Sequence, residues 1–230
     1  HYTDPRFWEW LYQMEHEVRQ DIPIFYYNIW DDLPYPMWNE PFYESCDLIM
    51  NISKQTVNIV DNVRRDKPTN EWDNTYVPHG INEKNFYPVN ELDIKEWGDL
   101  LNFKRSMTDG KNYDFVVFWN NRNIRRKLPG DVVLAYKTFC DMLPKEKADK
   151  CCLVMHTQPR DNNGTDLPVL VEELCPDYDV IFSDKKLDDI YLCYLYNIAD
   201  VTINMASNEG FGLGTCEALM CGTPISVNVT

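Results

Sequence analysis

The sequence is poor in three things: long apolar runs, paired cysteines and positive charge. No apolar stretch approaches the length of a bilayer span, and no secretory leader is present. The chain begins at His1 and stops at Thr230 directly on an apparent strand, the pattern of a fragment, so a missing targeting segment carries little weight. Lys and Arg number 22 against 37 Asp and Glu, a net charge of −15. Such a chain repels nucleic acid and anionic lipid over most of its surface, and any phosphate site must be local. The eight cysteines form no CxxC pair; Cys151 and Cys152 are adjacent and the rest are scattered. That argues against a metal site and a small disulfide framework, and points to a reduced, cytoplasmic setting. Three glycosylation triplets, starting at Asn51, Asn163 and Asn228, do not outweigh it. Internal repeats and low-complexity tracts are absent too.

What is present is enough for one large or two modest domains: 230 residues, 44% hydrophobic and 13% aromatic. The second half alternates apolar strand runs with helical periodicity. Strands are expected at 114–119, 152–156, 179–182, 201–205 and 224–227, with helices at 131–143, 167–174, 187–197 and from about Leu213. Strand and helix alternating at this spacing make a parallel sheet covered on both faces, and such sheets bind ligands at the carboxyl ends of their strands. The first half reads as an amphipathic helix from Phe7 to Gln20, a strand run at 22–30, a second at 46–53 and a helix to about Arg65. Residues 91–112 read as a helix and loop.

The densest chemistry lies at the strand-to-helix turn near the end. Glu209 and Glu217 bracket Gly210, Phe211, Gly212, Leu213, Gly214, Thr215 and Cys216, and the run closes on Cys221-Gly-Thr-Pro224. Glycines let backbone approach a ligand, and a helix N-terminus offers unpaired N–H groups and positive dipole to an anion. A carboxylate accepts from two adjacent hydroxyls. The turn suits a ligand with both a phosphate and a sugar. Upstream, Arg122, Arg125, Arg126 and Lys127 put four cations into six residues after the 114–119 strand. Arg presents a planar fork to phosphate oxygens and Lys a mobile point charge.

The Glu-x7-Glu run with its Cys-Gly-Thr-Pro close resembles the donor-sugar motif of retaining GT-B glycosyltransferases, the group 1 glycosyl transferases. The resemblance covers nearly the whole chain in order. It implies an α/β, GT-B-like fold of two Rossmann-like domains with parallel sheets, the N-terminal one only partly present and the C-terminal one truncated. The expected division is residues 1–75 for the end of the N-terminal, acceptor-side domain, 76–90 for the interdomain linker and 91–230 for the nucleotide-sugar domain. By resemblance, Glu209 lies against the transferred sugar and Glu217 binds the nucleotide ribose. Arg122 and Lys127 match the family's Arg and Lys five positions apart and would hold the diphosphate. The N–H groups near Leu213 and Gly214 would help, and Phe182-Ser183 lies where the family's main chain reads the base. Family members usually carry Gly directly after the Lys; here Leu128-Pro129 precedes Gly130, so a longer loop is expected. Many members place a His after the strand matching 26–30, where this chain has Asn28, Trp30 and Asp31, and Asp31 is a candidate substitute. Trp30, Tyr35 and Trp38 are candidates to stack on an acceptor sugar.

The resemblance further implies transfer from a nucleotide-diphosphate sugar to a glycan or lipid-linked glycan, with retention of configuration, without metal or other cofactor and without nucleic acid. It also implies a peripheral membrane contact through sequence upstream of His1. A fragment lacking half a domain is expected to be inactive alone. Two alternatives stay open: a non-catalytic sugar-nucleotide-binding relative, and a dinucleotide-dependent oxidoreductase. The second draws on Gly212-x-Gly214, but Glu217 fills the slot of the third glycine. His156 reads as a strand-end residue and His79 as part of the linker.

Overall fold

Parallel strands organise both units into which the contacts divide the computed structural model, which describes residues 4–65 and 73–228. The first unit takes in residues up to Gly80 together with Asn208–Phe211; the second takes in Ile81–Ser207 and the chain from Gly212 onward.

The first unit opens on helical turns, α1 (Glu9–Gln13) and α2 (Glu15–Val18), after a 3-10 turn at Pro5–Trp8. The single helix expected over 7–20 is broken at Trp8 (φ −115°, ψ 19°) and Met14 (φ −103°, ψ 8°). Leu11, Tyr12 and Val18 pack on the core, whereas Phe7, Trp10 and Met14 stay exposed. Too little of the segment is buried to hold one continuous helix, because tertiary packing supplies most helical stability. Then follow β1 (Phe25–Asn28), α3 (Glu40–Glu44), β2 (Leu48–Asn51), α4 (Lys54–Val63) and β3 (Asn74–Tyr76). The sheet order is β1-β2-β3, all parallel. Ser53 caps α4, its hydroxyl accepting the Thr56 N–H at 3.0 Å. Ile59, Val60 and Val63 on α4 are fully buried with Ile49 beneath them. Strand β3 was not anticipated: three residues, two of them polar, carry no apolar run to announce it.

The second unit runs α5 (Ile94–Met107), β4 (Phe115–Asn120), α6 (Pro129–Asp141), α7 (Lys145–Ala148), β5 (Cys151–His156), α8 (Leu167–Leu174), β6 (Asp179–Ser183), α9 (Asp189–Ile198), β7 (Val201–Asn204), α10 (Leu213–Met220) and β8 (Ile225–Val227). Its sheet is parallel throughout, in the order β6-β5-β4-β7-β8. All five expected strands are present, with boundaries shifted by a residue or so. Side chains of β4 and β5 alternate between two cores. Val116, Phe118, Cys152 and Val154 pack with residues of α5, α9 and α10, while Val117, Trp119, Leu153 and Met155 pack with those of α6 and α8. This is why both strands read as continuous apolar runs: neither face meets water. Burying a large apolar side chain contributes about 1.5–3 kcal/mol, so this double-sided core dominates the unit's stability. Central β4 and its neighbour β7 carry their following loops to the same edge of the sheet. Among the described residues no helix is long and apolar enough to cross a membrane.

Candidate functional site

The carboxyl edge of the five-stranded sheet gathers most of the chemistry in the second unit. Asn120, His156, Ser183 and Asn204 end β4, β5, β6 and β7 in polar side chains. The cationic loop follows β4, and the glycine-rich turn follows β7, the strand paired directly with β4. The two are tied together: Ser207 donates its N–H to the Arg126 carbonyl at 2.9 Å.

Helix α10 starts at Leu213 as the sequence suggests. Gly212 is its N-cap at φ +80°, a left-handed conformation that a glycine adopts at no steric cost. It has no side chain to cap the helix. The first intrahelical bond runs from Cys216 N–H to the Gly212 carbonyl at 3.0 Å, so the N–H groups of Leu213, Gly214 and Thr215 come before the ladder begins. Gly214 fits for a different reason. A Cβ there would lie 3.3 Å from both the Asn120 carbonyl and the Tyr196 hydroxyl, so the first turn of α10 seats closely on the end of β4.

Glu217 is partly buried on α10. Tyr196 Oη donates to its Oε2 at 2.6 Å, and Asn120 Nδ2 donates to Tyr196 Oη at 2.8 Å. Burial raises the Glu217 carboxyl above its ordinary range, the Tyr196 hydrogen bond opposes this, and the charge of Asp189 adds to the rise. Burial, together with the Glu217 charge, pushes the Tyr196 hydroxyl far up, so it remains a neutral donor.

In the cationic loop, Arg125–Lys127 forms a 3-10 turn and Lys127 is buried, whereas Arg122, Arg125 and Arg126 are exposed. Arg122 Nε donates to Asp161 Oδ2 at 3.0 Å. Helix α6 begins at Pro129, and Leu128 takes φ 49°, ψ 48°, the left-handed conformation that favours glycine. Leu128 therefore stands in a glycine's backbone conformation. Asn123, fully buried, knits the loop to its neighbour: Nδ2 donates to the carbonyls of Gln158, Pro159 and Thr165 at 3.3, 3.3 and 2.7 Å, and Oδ1 accepts from Thr165 N–H at 3.0 Å.

Phe182 and Ser183 close β6 opposite Met155 and His156. The Ser183 carbonyl accepts the Thr157 N–H at 3.1 Å, and Ser183 Oγ shares a 2.9 Å hydrogen bond with His156 Nδ1. His156 is half-buried at its strand end, and desolvation lowers its pKa. Among the described residues no three His, Cys, Asp or Glu side chains converge as a metal site.

Glu209, Gly210 and Phe211 belong with the first unit. There Asn208 Nδ2 hydrogen-bonds Asp32 Oδ1, and a Cβ on Gly210 would lie 3.3 Å from the Ile29 carbonyl and 3.7 Å from Asp31 Cβ. Phe211 meets the His79 ring edge-on, centroids 5.5 Å apart, and Tyr27 Oη shares a 3.2 Å hydrogen bond with His79 Nδ1. His79 is thus fixed between two aromatic rings. Trp30 stacks edge-on with Trp38 at 6.0 Å and donates its indole N–H to the Asp32 carbonyl at 2.9 Å.

Tyr196, Asn120 and Asn123 escaped the sequence reading. Tyr196 looks like any apolar-face residue of a helix, and an Asn at a strand end looks like a turn former. Only the three-dimensional pairing reveals their partners.

Neither a family model nor a curated protein matches the chain. Solved structures do. The N-terminal domain of trehalose-6-phosphate phosphatase from Candida albicans superposes with a TM-score of 0.71 at 12% identity, over 94% of this chain and 53% of that one. Sucrose-phosphate synthase from Thermosynechococcus elongatus gives 0.61 at 19% identity, over 94% and 53%. The alpha,alpha-trehalose-phosphate synthase (UDP-forming) from Burkholderia xenovorans, in complex with glucose-6-phosphate, gives 0.65 at 12% identity, over 94% and 56%. The chain has the α/β, parallel-sheet GT-B fold of these structures. It spans about half the length of each.

Proposed function

We propose that the chain carries the donor-binding part of a retaining, metal-independent glycosyltransferase acting on a nucleotide-diphosphate sugar. The observation that carries this reading is the first turn of α10, where N–H groups that precede the helical ladder and the half-buried Glu217 follow the strand next to the cationic loop. A diphosphate would rest on Arg122, Lys127 and the N–H groups of Leu213 and Gly214. When the anomeric bond breaks, negative charge grows on the leaving phosphate. Preorganised cations and a helix dipole stabilise that charge where it forms. Glu217 would accept from the ribose hydroxyls, and Glu209, by its place in the motif, would orient the transferred sugar. Phe182 and Ser183 would lie toward the base. The acceptor classes to test are a glycan, a lipid-linked glycan and, because the Burkholderia xenovorans structure holds glucose-6-phosphate, a sugar phosphate.

A second reading, a sugar-nucleotide-binding module without turnover, has one specific support: the fold also occurs in a domain named as part of a phosphatase. One experiment addresses both. The chain is screened for thermal stabilisation by nucleotide sugars, since a ligand of the native state raises stability. Transfer and donor hydrolysis are then assayed with the ligand that stabilises. Stabilisation with turnover supports the enzyme, and stabilisation without turnover supports the donor binding that both readings share. No stabilisation by any nucleotide sugar overturns both. Under the enzyme reading Glu209→Gln lowers kcat and leaves nucleoside diphosphate affinity nearly intact, because an interaction strengthened only in the transition state appears in rate.

A further inference from the structure

Tyr196 is buried on α9, with its ring edge-on to Phe118 at 5.1 Å and to Phe86 at 6.0 Å. Its hydroxyl can therefore move little. The hydrogen-bond chain is directional. Asn120 Nδ2 can only donate, so the Tyr196 oxygen accepts from it and its single proton goes to Glu217 Oε2 at 2.6 Å. Gly214 closes the arrangement, its Cα packed where a side chain would press on both Asn120 and Tyr196. One oxygen of Glu217 is thus committed, while no donor among the described residues reaches Oε1.

We propose that Tyr196 is a positioning residue for the nucleotide: it holds Glu217 by Oε2 so that Oε1 faces the two ribose hydroxyls, and it thereby sets a preference for ribo- over 2′-deoxyribonucleotides. The proposal rests on the reading of Glu217 as the ribose-binding carboxylate. A carboxylate free to rotate between rotamers makes the same hydrogen bond only part of the time. Fixing it in advance removes that ordering cost at binding. A ribonucleotide gains from a fixed acceptor and a 2′-deoxyribonucleotide gains less, so the device acts on the ratio of the two affinities.

The test compares Kd values for ADP, GDP, UDP and CDP, each against its 2′-deoxy counterpart, for the wild-type chain, Tyr196→Phe, Asn120→Asp and Glu217→Gln. In Asn120→Asp a second carboxylate competes for the one phenolic proton, so Glu217 is released while the Tyr196 ring stays. The expected result is a clear ribo preference in the wild type and its reduction by about fivefold or more in Tyr196→Phe, the loss of one charge-assisted hydrogen bond. Asn120→Asp lowers the ratio in the same direction. A wild-type ratio retained in Tyr196→Phe overturns the proposal while leaving the Glu217 reading standing. Should Tyr196→Phe not fold, an unchanged ratio in Asn120→Asp overturns it equally. A wild type without ribo preference, or a preference unchanged in Glu217→Gln, instead overturns the assignment of Glu217 and the proposal with it. A merely structural Tyr196 would lower melting temperature and both affinities together, with the ratio unmoved.

Discussion

Arg122 Nε reaches Asp161 Oδ2 at 3.0 Å, joining the loop after β4 to the loop after β5. The guanidinium proposed for a diphosphate is thus already paired with a carboxylate. Arg122 is well exposed, and solvent screens such an ion pair, so this pair contributes little to stability. It holds the side chain in place and, on the proposed reading, would compete with an incoming phosphate. Asp161→Asn is therefore expected to leave the melting temperature within a degree or two and to tighten nucleoside diphosphate binding by up to about fivefold. Arg122→Ala should weaken the same binding by about tenfold or more. Titration calorimetry on the two variants checks the pair of signs. Weaker binding in Asp161→Asn would show that Asp161 supports the site instead of competing for it.

Leu128 offers a stability gain. A non-glycine residue at φ 49° carries a steric cost on the order of 1–2 kcal/mol, and nothing in its side chain caps the helix it precedes. Leu128→Gly should relieve that strain, offset in part by the entropy of a freer unfolded chain. The expected outcome is a net gain of about 0.5–1 kcal/mol by denaturant melts. A loss would mean that its side chain contacts outweigh the backbone strain.

The architecture of the second unit was readable because each of its central strands is buried on both faces, leaving uninterrupted runs such as Phe115–Trp119 and Cys152–Met155. The start of α10 was readable because the helix-forming stretch begins at Leu213 after the glycine-rich turn. The 7–20 segment was not, because its periodicity said amphipathic helix while only three of its side chains pack on the core. Nor was the loop before Gly130, since Leu is a poor signal for a left-handed position. The Tyr196–Glu217 pair lies 21 residues apart on two helices, a distance over which one sequence carries no pairing information.

Gly164 should tolerate no side chain. A Cβ there would fall 2.2 Å from the Asn123 carbonyl oxygen and 2.4 Å from its Oδ1. Asn123 cannot yield, because its amide holds three carbonyls and an N–H of the adjoining loop. Gly164→Ala is expected to destabilise by about 1–3 kcal/mol, the usual cost of overpacking. Asn123→Ala should cost at least as much, since it strips buried polar groups of their partner. Both changes should also weaken diphosphate binding, because they displace the loop carrying Arg122. Chemical denaturation and calorimetry give the two readouts. Full stability in Gly164→Ala would mean that the two loops are not packed as described.

Glu217 separates a role in binding from a role in folding. Its carboxyl is raised above the ordinary value of 4.5 chiefly by burial, so the folded chain holds this proton more tightly than the unfolded chain does. Between 4.5 and the raised value the native state binds more protons, and stability contributed by this group falls as pH rises through that window. Wherever it is ionised, the carboxylate carries the cost of its burial. Glu217→Gln removes the charge and keeps an oxygen for Tyr196 Oη. The ligand-free variant should therefore melt at or above the wild-type temperature at pH 7, with the advantage shrinking toward pH 4. Nucleoside diphosphate binding should fall about tenfold or more, because the charged acceptor proposed for the ribose is gone. A residue that merely shaped the turn would show the opposite pairing: lower stability at pH 7 and little change in affinity. Melting curves at both pH values, with a binding titration at pH 7, decide between the two. A Glu217→Gln chain that melts well below the wild type at neutral pH yet binds nucleoside diphosphate normally would remove Glu217 from the site.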